Sequence, residues 1–244
     1  VDSRYIAVAM LSSTKAICAF RNNSTTYLNA VVVNYGSASG ATSAVNAEAS
    51  LDISIAAQTS TQATVVYKTS TGATKAYVLD VSGTTITPGS VASVDAGTGG
   101  SGTSITALSS TQLLCAYQGG AAGTPRMRVF DISGSTITAS SEVAADATAA
   151  AATYIKVRKI SSSKAVVAFR NNTGNKPQIR LQSITGSTPA PTGSVLDISA
   201  TPGTTPATAL GIAVLSSSRA VLVAPIDRSY GDLMISLLDI SGTS

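Results

Sequence analysis

SSTKAICAFRNN occupies residues 12–23, and SSSKAVVAFRNN occupies residues 161–172. One chain that spells nearly the same dodecamer twice carries an internal repeat. Aligned on the serine or threonine pair, the pattern occurs five times: LSSTKAICAF from Leu11, QTSTQATVVY from Gln58, LSSTQLLCAY from Leu108, ISSSKAVVAF from Ile160 and LSSSRAVLVA from Leu215. The spacings are 47, 50, 52 and 55 residues. A period near 50 that holds several short strands marks a propeller-type array, whereas helical solenoids repeat with a helical period.

Unit three displays the strand pattern. SITALSS (104–110) and QLLCAYQ (112–118) are apolar runs, GGAAGTP (119–125) is a glycine-rich loop, and RMRVFDIS (126–133) alternates as a two-faced strand. SGSTITASSEVAA (133–145) then supplies a turn and a more polar outer strand. A lone four-stranded meander cannot bury both faces, so successive units must stack. The expected fold is an all-β, five-unit β-propeller of four-stranded antiparallel blades in a single domain over residues 1–244. Its units span about 5–50, 51–99, 100–151, 152–207 and 208–244. The last ends at LLDISGTS without its outer strand, while residues 1–4 resemble the end of a preceding blade. Either these first residues partly complete the last blade in a closed ring, or the chain is a piece of a longer one, and the second is the reading favoured.

A second echo lies in the third strand: LDVSGTTIT (79–87), FDISGSTIT (130–138), QSITGSTPA (182–190) and LDISGTS (238–244). Glycine accepts the positive φ of a tight hairpin, and Asp80, Asp131 and Asp239 are expected to hydrogen-bond the turn backbone. One carboxylate per turn is too few oxygen ligands for calcium. Cys18 and Cys115 share one slot of the repeat with Val65, Val167 and Leu222, so both are expected in the core, as neither disulfide nor metal ligands. No metal and no cofactor is implied.

Composition narrows function by exclusion. The chain is 44% apolar and 11% charged, and its 16 basic and 12 acidic residues, net +4, form no basic tract, which argues against nucleic acid. No apolar run approaches the ~20 residues of a membrane span, so membrane insertion is not expected. Histidine is absent, which removes the commonest general base and the Ser-His and Cys-His nucleophile pairs. A glycosidase would need two carboxylates converging in the central channel, whereas Asp80, Asp131 and Asp239 recur with the repeat and Glu48 and Glu142 lie in outer-strand context. The chain is expected not to be an enzyme. SVDAGTG (93–99) partly matches a structural turn of sialidase-type propellers, and GTGGSGT (97–103) has no following helix to make it a phosphate loop.

Binding candidates lie in the loop that leaves the second strand of each unit. In propellers these loops share a face with the inter-blade connections, so Arg21, Lys68, Gln118 and Arg170 are expected to circle one rim, with Asn22, Asn23, Asn171 and Asn172 beside them. Arginine forks onto anions and asparagine both donates and accepts, which suits sugars, although asparagine also satisfies turn backbone. Without tryptophan, stacking on a sugar would fall to residues such as Tyr27, Tyr117 and Tyr230.

The repeat S-S-T-K-A-x-x-A-[FY]-[RK]-N-N, followed by L-D-[IV]-S-G-T-[TS]-I-T, resembles the β-propeller repeats of bacteriophage tail fibres and other virion surface appendages, and similar repeats occur in bacterial extracellular proteins. The resemblance covers the whole chain. Unit two departs from it with QTSTQA, unit four with QSITG and unit five with PIDR in place of the Arg-Asn loop. It implies a non-catalytic module on a virion surface or outside a cell, with other appendage subunits or a host-surface glycan as partners. The alternative is a free extracellular lectin-like propeller.

Overall fold

The computed structural model describes residues 3–36, 39–95, 102–120, 122–146, 151–173, 176–198, 209–225 and 233–241. Every regular element among them is a strand, and every pairing is antiparallel. Unit one comprises β1 (Ser3–Met10), β2 (Lys15–Asn22), β3 (Tyr27–Asn34) and the first half of β4 (Ser43–Thr59). At Ala49 and Ser50, β4 changes partner from β3 to β5, so its second half is the first strand of unit two. That unit continues with β5 (Gln62–Thr69), β6 (Thr74–Ser82), β7 (Thr85–Pro88) and β8 (Ala92–Asp95). Unit three is β9 (Thr103–Ala107), β10 (Gln112–Gly119), β11 (Thr124–Ser133), β12 (Thr136–Ala139) and β13 (Val143–Ala144). Unit four is β14 (Ala152–Ser161), β15 (Lys164–Asn171), β16 (Lys176–Thr185) and β17 (Thr188–Asp197). Unit five holds β18 (Gly211–Ser216), β19 (Arg219–Pro225) and β20 (Leu233–Asp239), so three strands are described there. In units two and three the outer strand is broken in two, and both pieces pair with the same third strand.

The serine or threonine pair has one task in all five units. Its first hydroxyl accepts a hydrogen bond from the backbone N–H two residues on: Thr14 to Ser12, Thr61 to Thr59, Thr111 to Ser109, Ser163 to Ser161 and Ser218 to Ser216, at 3.2–3.3 Å. This pins the hairpin between first and second strands.

Alternate residues of each second strand face opposite neighbours. Leu113, Cys115 and Tyr117 pack with Val66, Ala76 and Val78 of unit two, while Leu114 and Ala116 pack with Val167 and Phe169 of unit four. Val166 and Ala168 in turn meet Ala220 and Leu222 of unit five. Unit one lends Ile17, Ala19, Leu28 and Val32 to unit two, and among the described residues no such cluster covers its other side. Cys18 lies on that uncovered face. The shared slot is therefore core for Cys115, Val65, Val167 and Leu222, and only half-buried for Cys18. Val8 and Met10 beside it are each 59% exposed, and on the outward face of unit five Ile235 is 70% exposed.

Gly83, Gly134 and Gly186 take φ of 57–60° at the hairpin tips, as the turn pattern requires. Asp80 and Asp131 do not bond their own turns. Gln62 Nε2 donates to Asp80 Oδ1 (2.8 Å) and to Gly134 O (3.1 Å), and Ser135 Oγ donates to Asp80 Oδ2. One unit later, Gln112 Nε2 donates to Asp131 Oδ1 (3.0 Å) and Gly186 O (3.1 Å), and Ser187 Oγ to Asp131 Oδ2 (2.5 Å). Each aspartate thus latches its unit to the hairpin of the next. Only Asp239 behaves as the turn pattern suggests, accepting from Ser241 N (2.9 Å) and Ser241 Oγ, and these bonds hold its carboxyl below the usual carboxylate range.

Gly89 permits the latch hairpin to approach, since a Cβ there would lie 2.2 Å from Ser135 O. Gly89→Ala should therefore lower the melting temperature by several degrees, as differential scanning calorimetry would record. Cys115→Ser buries a hydroxyl in an apolar slot at a cost of about 1–3 kcal/mol, and Cys18→Ser should cost clearly less. Equal destabilisation by the two serines would contradict the uncovered face of unit one.

Candidate functional site

Arg21, Lys68, Gln118 and Arg170 are not in the loops that the sequence suggested but are paired residues near the ends of β2, β5, β10 and β15, because the strand ladders run on past the apolar run, and there they share one register. Arg21 lies opposite Arg4, Lys68 opposite Leu51 and Arg170 opposite Thr153, and Gln118 N donates to Gly102 O (3.1 Å). Beside them the first strand bulges, two residues facing one bulky aromatic: Tyr5 and Ile6 against Phe20, Asp52 and Ile53 against Tyr67, Tyr154 and Ile155 against Phe169. The first residue of each pair has positive φ, 53° at Tyr5, 46° at Asp52 and 55° at Tyr154, and unit three places Gly102 at φ 125° in the same slot. A tyrosine in this conformation costs roughly 1–2 kcal/mol.

These four residues converge. Tyr5, Asp52, Gly102, Tyr154 and Lys156 line a cavity of about 220 Å³ where the first strands begin. A larger one of about 580 Å³ continues between β1, β4, β9 and β14, with Ile6, Ile53 and Ile105 on its walls and Lys156, Arg158 and Lys159 on β14. Hydroxyls lace the first strands together around it. Ser54 Oγ accepts from Ile105 N (3.2 Å), Ser104 Oγ from Val157 N (3.0 Å) and Thr106 Oγ1 from Lys159 N (3.3 Å). Asp52 joins this lacing, because its Oδ2 accepts from Gly102 N (3.3 Å) and its carbonyl accepts from Thr103 Oγ1.

The expected rim residues divide into two groups. Arg21, Asn22, Asn23, Arg170, Asn171 and Asn172 are half-buried. The Arg21 guanidinium stands 6.0 Å from the Tyr5 ring centroid, which joins it to the mouth of the smaller cavity. Asn22 Oδ1 accepts from Ser24 N and Asn171 Oδ1 from Thr173 N, both at 3.0 Å, so each closes a turn. Asn172 Oδ1 accepts from Thr153 Oγ1 (3.0 Å) and holds the loop to the first strand.

Lys68 and Gln118 are not on an open rim. Lys68 is 2% exposed and its Nζ donates to Gln118 O (3.2 Å), tying unit two to unit three. Burial lowers its pKa, while Asp52 and Asp95 push it back up. Gln118 is buried, with Gly123 against its amide nitrogen. Tyr117 is also removed from any stacking role. It is fully buried, donates to Glu142 Oε2 (2.6 Å) and accepts from Arg128 Nε (3.1 Å), and burial raises its pKa. Tyr27 is exposed, and Tyr230 lies outside the described residues.

Tyr5, Asp52, Tyr154 and Lys156 form the site that the sequence reading missed. Their signal is an aligned slot, tyrosine, aspartate, glycine and tyrosine, at the start of four first strands. Among the described residues no group of three or more His, Cys, Asp or Glu could hold a metal ion. Neither axial cavity is lined by two carboxylates, the arrangement that glycoside cleavage needs.

No family model and no curated protein sequence matches the chain. Solved structures match it in fold. A fungal lectin of Aleuria aurantia, described as a six-bladed β-propeller with a fucose recognition mode, is 15% identical over 99% of this chain and 80% of its own, with a TM-score of 0.55. A variant of AofleA from Arthrobotrys oligospora is 11% identical over 96% of this chain and 68% of its own, with a TM-score of 0.62. The NanB sialidase from Streptococcus pneumoniae is 13% identical over 66% of this chain and 26% of its own, with a TM-score of 0.50. The chain accordingly has an all-β fold of the β-propeller kind, and the Aleuria lectin has six blades where this sequence spells five units. None of the three is described as a virion protein.

Arg21→Ala combined with Arg170→Ala should leave the melting temperature within a few degrees of the parent, as expected of half-buried side chains at strand ends. Lys68→Ala should cost about 1–3 kcal/mol, because Gln118 O loses its buried donor. Chemical denaturation of both variants checks the division, and a larger loss in the arginine pair would make those residues structural ties.

Proposed function

We propose that this chain is a non-catalytic, extracellular carbohydrate-binding propeller module whose glycan contacts centre on the mouth formed by Tyr5, Asp52, Tyr154 and Lys156. The observation that carries the reading is the repeated positive φ at Tyr5, Asp52 and Tyr154, which brings two phenol rings and a carboxylate, at a conformational cost, to the cavity that Lys156 also lines. A sugar ring offers an apolar face for the phenols and hydroxyls for the polar groups. Asp52 keeps Oδ1 for a hydroxyl, since Oδ2 is engaged by Gly102. A volume of about 220 Å³ suits one sugar ring and lies below the ~300–1,000 Å³ of sites that enclose larger ligands.

The structures named above favour a free lectin-like module over a virion appendage, because the Aleuria protein is a fungal lectin described by its fucose recognition and none of the three is described as viral. No helix among the described residues is long and apolar enough to cross a membrane.

The test is a glycan array followed by calorimetric titration of the best ligand. Asparagine tolerates positive φ better than other non-glycine residues, so Tyr5→Asn and Tyr154→Asn should keep the fold while weakening binding about tenfold or more. Incubation with the bound glycan should leave it uncleaved. Absence of binding across the array, or full binding by the double variant, would refute the site.

A further inference from the structure

We infer that the axial cavity beneath the mouth is an anion-binding site, in which Lys156, Arg158 and Lys159 take the carboxylate or sulfate group of an acidic saccharide. The saccharide clause rests on the glycan reading above; the anion site stands on its own geometry.

Three cations line this cavity from one strand, while the neighbouring mouth holds one carboxylate, Asp52. None of the three is neutralised there. Lys159 Nζ donates to Leu108 O (2.5 Å) and Arg158 Nη1 to Val157 O (2.8 Å), both of them uncharged carbonyls. Lys156 makes no hydrogen bond and no ion pair among the described residues, though it is half-buried. Burial and the adjacent Arg158 lower its pKa, against which Asp52 acts weakly, so the ammonium stands in surroundings that an added negative charge would relieve.

Ile6, Ile53 and Ile105 line the same cavity from β1, β4 and β9; Lys156 is half-buried there, whereas Arg158 and Lys159 are exposed and so open to an incoming anion. The hydroxyls of Ser54, Ser104 and Thr106 already accept from backbone N–H groups, so they fix the strands rather than compete as acceptors for the cations. A volume of about 580 Å³ admits a carboxylate or sulfate together with the ring that bears it. Arginine supplies the planar fork that such oxyanions fit, and lysines supply point charges.

Oligogalacturonate, a sulfated oligosaccharide and a neutral oligosaccharide of matched length are titrated into the full chain at fixed ionic strength, alongside inorganic sulfate at low millimolar concentration. At least one acidic ligand should bind about tenfold or more tightly than the neutral one, and Arg158→Gln with Lys159→Gln should erase that advantage while leaving neutral-glycan affinity unchanged. The acidic ligand that holds the advantage identifies carboxylate or sulfate as the group recognised. Equal affinity for acidic and neutral ligands, or an advantage that survives in the double variant, would overturn the inference. If no saccharide binds, inorganic sulfate decides: a melting-temperature rise in the parent that is absent from the double variant upholds the anion site and discards the glycan reading, and no rise discards both.

Discussion

Each meander in this chain is apolar on both faces, and the architecture follows from the need to cover them. Odd and even positions of a second strand belong to different interfaces, as Cys115 and Ala116 do, so one strand helps to build two cores. The charged content of 11% is adequate because so much of each unit is interface. Stability in such an array is a sum of unit and nearest-neighbour terms. The inter-unit contacts are therefore as much a part of the fold as the strands.

Two sets of polar contacts orient those interfaces. At the hairpin end, Gln62–Asp80 and Gln112–Asp131 each reach forward to the next glycine–serine turn. Around the axis, Ser54, Ser104 and Thr106 join consecutive first strands. Apolar burial alone is non-directional, and these bonds supply register between sheets that share no ladder. The axial set also frames the cavity where the tyrosines and cations gather, so the same lacing that aligns the units builds the candidate site.

Whatever is local and repeated was legible in the sequence. The serine pair, the alternating strands and the glycine turns are short patterns seen four or five times, each with its cause inside about ten residues. What was not legible depends on neighbours. Asp80 looks like a turn residue until Ser135 of the following unit is placed beside it, and Lys68 looks like a rim cation until Gln118 is placed over it. The bulge at Tyr5, Asp52 and Tyr154 arises from an opposing aromatic on the next strand, and its occupants differ too much in chemistry to announce a common role. Cys18 shows the same limit in reverse, since its slot is core only where a preceding unit covers it.

The forward direction of the latches sets an order of opening. Units two and three each grip a successor, whereas in unit five Asp239 has turned back on Ser241 and grips nothing beyond itself among the described residues. Among the described residues, the strands of unit five pack on unit four. Units two and three, covered on both faces and latched forward, should consequently be the last to exchange their amide protons with solvent.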